Sequence, residues 1–145
     1  VELSLLHTYP LDSGLVAKCQ KLDVKILAYS PLGQGRLCDK YYDDEKKWRD
    51  MRGSRYFAQG CSYQQAAPLL RVLRELADFH KCKMAQIAVA WIVAKGCIPV
   101  CGCKSEPQLA ENAASLLIKL TPEEVRRLDA VSLKGSVNYW QGRSS

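Results

Sequence analysis

The chain has 145 residues, 48% of them hydrophobic and 25% charged, with a formal net charge of +6. Such a composition fits a single globular domain and excludes a disordered chain. No apolar run approaches the ~20 residues of a membrane helix, and the basic residues are scattered rather than interleaved with aromatics in one stripe, so neither a membrane nor a nucleic acid is an expected partner. The positive balance suits a small anionic ligand instead. Seven cysteines (Cys19, Cys38, Cys61, Cys82, Cys97, Cys101 and Cys103) form no C-x-x-C pair, and their number is odd. They read as reduced thiols in a cytoplasmic compartment, or a plastid if a transit segment lies upstream, and not as a disulfide framework. Cys101 and Cys103 have no histidine near them in sequence, so no metal site is expected. Residue 1 is valine, which suggests a processed, excised or incomplete chain.

In chain order, residues 1–6 read as a short apolar strand that turns at His7-Thr-Tyr-Pro10. Asp12 or Ser13 is placed to cap a helix over 14–22, with Leu15, Cys19 and Leu22 as its buried stripe. A second strand follows at 24–29 and is broken by Ser30-Pro-Leu-Gly-Gln-Gly-Arg36. Strand, helix and strand in so short a span make a βαβ unit with parallel strands. Residues 33–62 form a long polar excursion in which 43–50 suits a short helix, and Arg36, Arg52 and Arg55 are candidates to reach an anion. An amphipathic helix is predicted over 63–80, burying Leu69, Leu70, Leu73, Leu76 and Ala77. The next helix, 83–95, is nearly all apolar and must be buried on most sides, with Gly96 as its stop. Thr121-Pro-Glu-Glu124 starts a last helix with a capping box, and Val125, Leu128 and Val131 line its inner stripe. Residues 133–145 read as a tail whose Tyr139 and Trp140 could pack back on the body.

The most chemical stretch is Ile98-Pro-Val-Cys-Gly-Cys-Lys-Ser-Glu-Pro-Gln108. It reads as a short buried strand, a turn at Gly102, and a helix capped by Ser105 with Gln108 three residues on. A helix N-terminus offers free N–H groups and about half a positive charge. Lys104 and the Ser105 hydroxyl beside it make a phosphate seat. Gln108, Glu111 and Asn112 follow on one side of that helix, ready for whatever the phosphate carries. The same residues also suit an ordinary capped helix with a solvated polar face.

Alternating elements with about three clear strands imply an α/β fold with a parallel sheet. Three strands leave two open edges, and the 83–95 helix asks for further partners. The fold expected is therefore the C-terminal part of a (β/α)8 barrel, incomplete as a barrel, with 1–132 as the domain. In such barrels chemistry gathers at the strand C-terminal ends.

Several motifs in order carry a family resemblance: Leu3-Ser-Leu-Leu-His7, Ala28-Tyr-Ser-Pro-Leu-Gly-Gln-Gly35, Ala85-Gln-Ile-Ala-Val-Ala-Trp91, Ile98-Pro-Val-Cys-Gly102 and Gln108-x-x-Glu111-Asn112. Together they resemble the C-terminal half of an aldo-keto reductase. The resemblance implies NADPH as cofactor and a carbonyl substrate reduced to an alcohol. It implies that Tyr29 stacks on the nicotinamide and that Ser30, Leu32 and Gln34 follow the pyrophosphate and ribose. Lys104 and Ser105 would meet the 2′-phosphate, and Gln108, Glu111 and Asn112 the adenine side. Where the family often carries an arginine, Gln108 brings no charge, which would soften a preference for NADPH over NADH. The family's catalytic Asp, Tyr, Lys and His come from the first half of the barrel, and no residue here matches them. The chain alone is thus expected to lack a proton donor, and a non-catalytic nucleotide-binding module or an inactive truncated product is the alternative. Open strand edges make self-association a further expectation.

Overall fold

The computed structural model describes residues 1–50 and 61–134. The expectations for Arg52 and Arg55 and for Tyr139 and Trp140 fall outside the described residues. Among those described, the helices are α1 (Tyr9–Asp12), α2 (Leu15–Lys21), α3 (Glu45–Asp50), α4 (Tyr63–Phe79), α5 (Met84–Ala94), α6 (Glu106–Ala114) and α7 (Pro122–Val131). The strands are β1 (Leu27–Tyr29) and β2 (Ile98–Val100), which pair in parallel with Leu27 opposite Ile98 and Tyr29 opposite Val100. Among the described residues this is the expected α/β architecture, with a parallel sheet and no closed barrel.

The first expected strand, residues 1–6, is reduced to isolated bridges. Glu2 pairs in parallel with Tyr29, and the Leu3 N–H donates to the Tyr29 carbonyl at 3.2 Å. Pairing stops there because the chain reverses at Ser4, whose hydroxyl accepts from the Leu6 N–H at 3.2 Å while Ser4 itself pairs antiparallel with His7. A serine side chain here outcompetes the sheet ladder for the backbone. Leu3, Leu5 and Leu6 are nonetheless buried, so the run contributes to the core without extending as a strand.

Neither Asp12 nor Ser13 caps α2. Asp12 Oδ2 instead accepts from the Thr8 hydroxyl at 3.0 Å, and the Ser13 hydroxyl turns to the Pro10 carbonyl at 3.4 Å. Gly14 takes the N-cap with a φ of 76°, a conformation open to glycine at little cost. Val16 is the buried residue of α2, while Leu15 and Leu22 are exposed.

The longer helices follow their sequence patterns. The N-cap of α4 is Ser62, whose hydroxyl accepts from the Gln65 N–H at 3.2 Å while Gln65 Oε1 accepts from the Ser62 N–H at 2.8 Å. Pro68 lies inside α4 without dividing it, and all of the predicted stripe residues are buried. In α5 the residues Met84, Ile87, Ala88, Val89, Ala90, Trp91 and Ile92 are buried. Helices α4, α6 and α7, strand β2 and the 3-10 turn Ser115–Leu117 supply the partners, so this helix does not require more protein to cover it. Gly96 ends it with a φ of 72°. Thr121 caps α7, with the Glu124 carboxylate answering the Thr121 N–H at 2.7 Å. Leu128 is fully buried, and Val125 and Val131 pack against the same core.

A partly buried pair of titratable groups joins two helix ends. His80, at the C-cap of α4, lies 2.7 Å from Glu124 Oε1 near the start of α7. Burial pushes the Glu124 carboxyl up, but hydrogen bonds from Thr121 and His80 outweigh it and hold the group below its ordinary 4.5. A carboxyl whose folded value is depressed adds stability that is full above the unfolded value and is lost as pH falls through the folded one. The urea midpoint should therefore fall as pH is lowered below 4.5. In Glu124→Gln that acid limb should be shallower, and an unchanged acid limb would remove Glu124 from the account.

Candidate functional site

Parallel pairing fixes where the two motif-bearing connections begin. With Tyr29 opposite Val100, the chain leaves both strands at the same end of the sheet. Ser30 starts one connection and Cys101 the other.

The first connection, residues 30–35, is a tight series of turns. The Gly33 N–H donates to the Ser30 carbonyl at 2.9 Å, and the Gly35 N–H to the Leu32 carbonyl at 2.9 Å. Ser30 and Gln34 adopt positive φ, 54° and 57°. Non-glycine residues in that region are uncommon, and they concentrate where the fold enforces the geometry for function. Gly33 shows how tight the packing is: a Cβ on it would stand 2.6 Å from Leu6 Cδ1. Leu32 packs against the core, Ser30 is half-buried, and Gln34 projects into solvent. Tyr29 is 39% exposed and shares one sheet face with Leu27, Ile98 and Val100, all of them exposed. The expectation of a buried third strand fails on this face. Ile98 and Val100 are about half exposed, because alternate residues of β1 and β2 point away from the helices and meet no second layer among the described residues.

The second connection brings Lys104 and Ser105 to the start of α6, both exposed. Ser105 is the N-cap residue, yet its side chain makes no cap bond, so the predicted capping box is not formed. Gln108 Oε1 reaches one residue further and accepts from the Lys104 N–H at 2.8 Å. Pro107 at the second helical position removes one of the two N–H groups a serine cap can use, and the other, that of Gln108, is not taken by Ser105. The Ser105 hydroxyl and the Lys104 ammonium thus face solvent beside the helix start, while the Gln108 side chain is turned back on the loop.

Along α6, Glu111 and Asn112 are half-buried. The Glu111 carboxylate is engaged by Lys83 Nζ, and its carbonyl accepts from Gln86 Nε2 at 3.1 Å. The hydrogen bond and proximity of Glu111 raise the Lys83 ammonium above its ordinary value. No residue of α6 is fully buried, and these polar ties link it to the start of α5. Lys83 and Gln86 were not among the sequence candidates. They lie 28 and 25 residues from Glu111, a separation that no local periodicity reports.

Arg36 is buried rather than offered to solvent. It is 1% exposed, its guanidinium lies 5.5 Å above the Trp48 ring, and burial lowers its pKa. The seven cysteines are free. Burial pushes the Cys61 thiol up to about 11, which makes it an inert packing group. Among the described residues no group of three or more His, Cys, Asp or Glu could hold a metal, and no helix is long and apolar enough to cross a membrane.

Comparison with known proteins gives this geometry a family. The chain is 33% identical over 128 residues to an aldo-keto reductase of Gibberella moniliformis, covering 86% of this chain and 39% of that protein. It is 31% identical over 129 residues to the chloroplastic pyridoxal reductase of Arabidopsis thaliana, covering 89% and 34%. The structure superposes on a thermostable aldo-keto reductase solved with the inhibitor epalrestat, with a TM-score of 0.67 at 27% identity, over 91% of this chain and 38% of that one. The chain therefore spans between a third and two-fifths of the length of these relatives. The sequence profile of the aldo/keto reductase family matches residues 1–133, and the chain belongs to that family.

Proposed function

We propose that this chain is the cofactor-holding half of an NADPH-dependent reductase that converts aldehydes and ketones to alcohols. The observation that supports this most is the parallel register of β1 and β2, with Tyr29 opposite Val100. It sends the 30–35 turns and the approach to α6 out of the same sheet end, where barrel enzymes gather their chemistry. The residues suit a phosphorylated nucleotide: the Ser105 hydroxyl is uncommitted to its own helix, and Lys104 stands exposed next to it. In this reading Lys104 and Ser105 hold the 2′-phosphate, Ser30, Leu32 and Gln34 follow the pyrophosphate and ribose, and Tyr29 lies against the nicotinamide. Asn112 meets the adenine side. Glu111 does so only with the oxygen that Lys83 leaves free, and Gln108 by releasing the Lys104 N–H. The bound cofactor supplies a hydride to the carbonyl carbon, and a general acid must protonate the oxygen.

No residue of this chain matches the family's proton donor, so binding without turnover is the expected behaviour of the chain alone. His80 is committed to Glu124, and Tyr29 lies on the stacking face. NADPH should raise the melting midpoint of the isolated chain, since a ligand of the folded form alone stabilises it by mass action. NADPH oxidation should not respond to a simple aldehyde. An unchanged midpoint at millimolar NADPH would overturn the binding half of this reading, and aldehyde-dependent oxidation would overturn the absence of an acid. Self-association through the open edge of β2 is opposed by Pro99. Ile98 directs its N–H to the Ile26 carbonyl at 2.8 Å, so the alternation of a parallel ladder turns Pro99, which has no N–H, to the open side.

A further inference from the structure

Cys101 and Cys103 flank Gly102 in the connection that carries Lys104 and Ser105 to α6. Cys103 is exposed and Cys101 partly so, and both are free thiols. Only one residue separates them in the chain; burial raises the Cys101 thiol, and Cys103 beside it acts in the same direction. Residues two apart in extended chain are separated by about 6.6 Å, at the upper end of what a disulfide spans. Closing that gap requires a bend at the intervening residue. The intervening residue is Gly102, the residue type least restricted in backbone conformation, and even a Cβ there would meet nothing within 4 Å.

We propose that Cys101 and Cys103 are a redox-active thiol pair, and that their closure into a disulfide loosens the grip of Lys104 and Ser105 on nucleotide phosphate. The oxidant class is a small-molecule disulfide such as oxidised glutathione. The Cys103 thiolate attacks one glutathione sulfur, the glutathione S–S bond breaks, and one glutathione leaves as thiolate. Cys101 loses its proton to solvent and attacks the Cys103 sulfur of the mixed disulfide, releasing the second glutathione. The protein gives up two electrons and two protons, and oxidised glutathione becomes two glutathione thiols. A bridge across a single residue is strained, so it is reversible by reduced glutathione. The bend that forms it moves the residue immediately before Lys104.

The effect on nucleotide rests on reading Lys104 and Ser105 as the phosphate seat, whereas the disulfide does not. The chain is equilibrated with oxidised glutathione, remaining thiols are alkylated, and peptides are mapped by mass, with NADPH affinity measured in parallel before and after reduction by dithiothreitol. The expected result is a Cys101–Cys103 link and an NADPH affinity lowered about tenfold, the loss of one charged hydrogen bond, restored by dithiothreitol. Cys103→Ser should keep its affinity under oxidation. A chain with both thiols free, or with only a glutathione adduct on Cys103, overturns the thiol pair. A link that leaves affinity unchanged overturns the coupling. If the reduced chain does not bind NADPH at all, the coupling and the phosphate seat fall together, while the peptide map still decides the thiol pair.

Discussion

Trp91→Ala should leave the chain close to unfolding at room temperature. Trp91 is fully buried in α5, and its indole N–H donates to Asp129 Oδ1 of α7 at 2.8 Å. Deleting a buried aromatic side chain costs about 3–5 kcal/mol, against a total stability of about 5–15 kcal/mol for domains generally. The same change removes one partner of Asp129, whose other oxygen is held by Lys95 Nζ at 2.6 Å. Trp91→Phe retains most of the packing and should cost clearly less. Urea unfolding monitored by circular dichroism reads both. A midpoint for the alanine variant within about 0.5 kcal/mol of the parent would mean that α5 is not the centre of the core.

The second large effect concerns affinity rather than stability. Lys104→Ala should weaken NADPH binding by about ten- to a hundredfold, because a hydrogen bond to a charged group is worth about 1.5–3 kcal/mol and each 1.4 kcal/mol is a factor of ten. NADH, which lacks the 2′-phosphate, should be nearly unaffected. The melting midpoint without ligand should also be unchanged, since the Lys104 side chain is exposed and its N–H, which Gln108 accepts, survives in alanine. Equal losses for NADPH and NADH would place the phosphate elsewhere.

Features governed by local spacing were legible in the sequence. The stripe of α4, the apolar run of α5 and the Thr121 capping box all depend on neighbours within about one helical turn, and the structure has them where the pattern puts them. What failed were contests between alternative hydrogen-bond partners of one polar group. Asp12 bonds Thr8 instead of capping α2, Ser4 takes the Leu6 N–H that would have served a strand, and Gln108 bonds Lys104 rather than Ser105. Each alternative has the same residue types and nearly the same spacing, and three-dimensional context decides among them. Long-range ties such as Lys83 to Glu111 and His80 to Glu124 lack any sequence signature. Arg36 misled for a related reason: a polar stretch conceals that Trp48 lies over its guanidinium. The candidate site was legible as two motifs, and the β1–β2 register is what relates them.

The most direct test follows backbone amide resonances of the isolated chain during titration with 2′,5′-ADP, using 5′-AMP as the control that lacks the second phosphate. The account predicts saturable shifts centred on Lys104, Ser105 and the first turn of α6, much weaker with 5′-AMP. Shifts centred elsewhere, or identical responses to the two nucleotides, would contradict it.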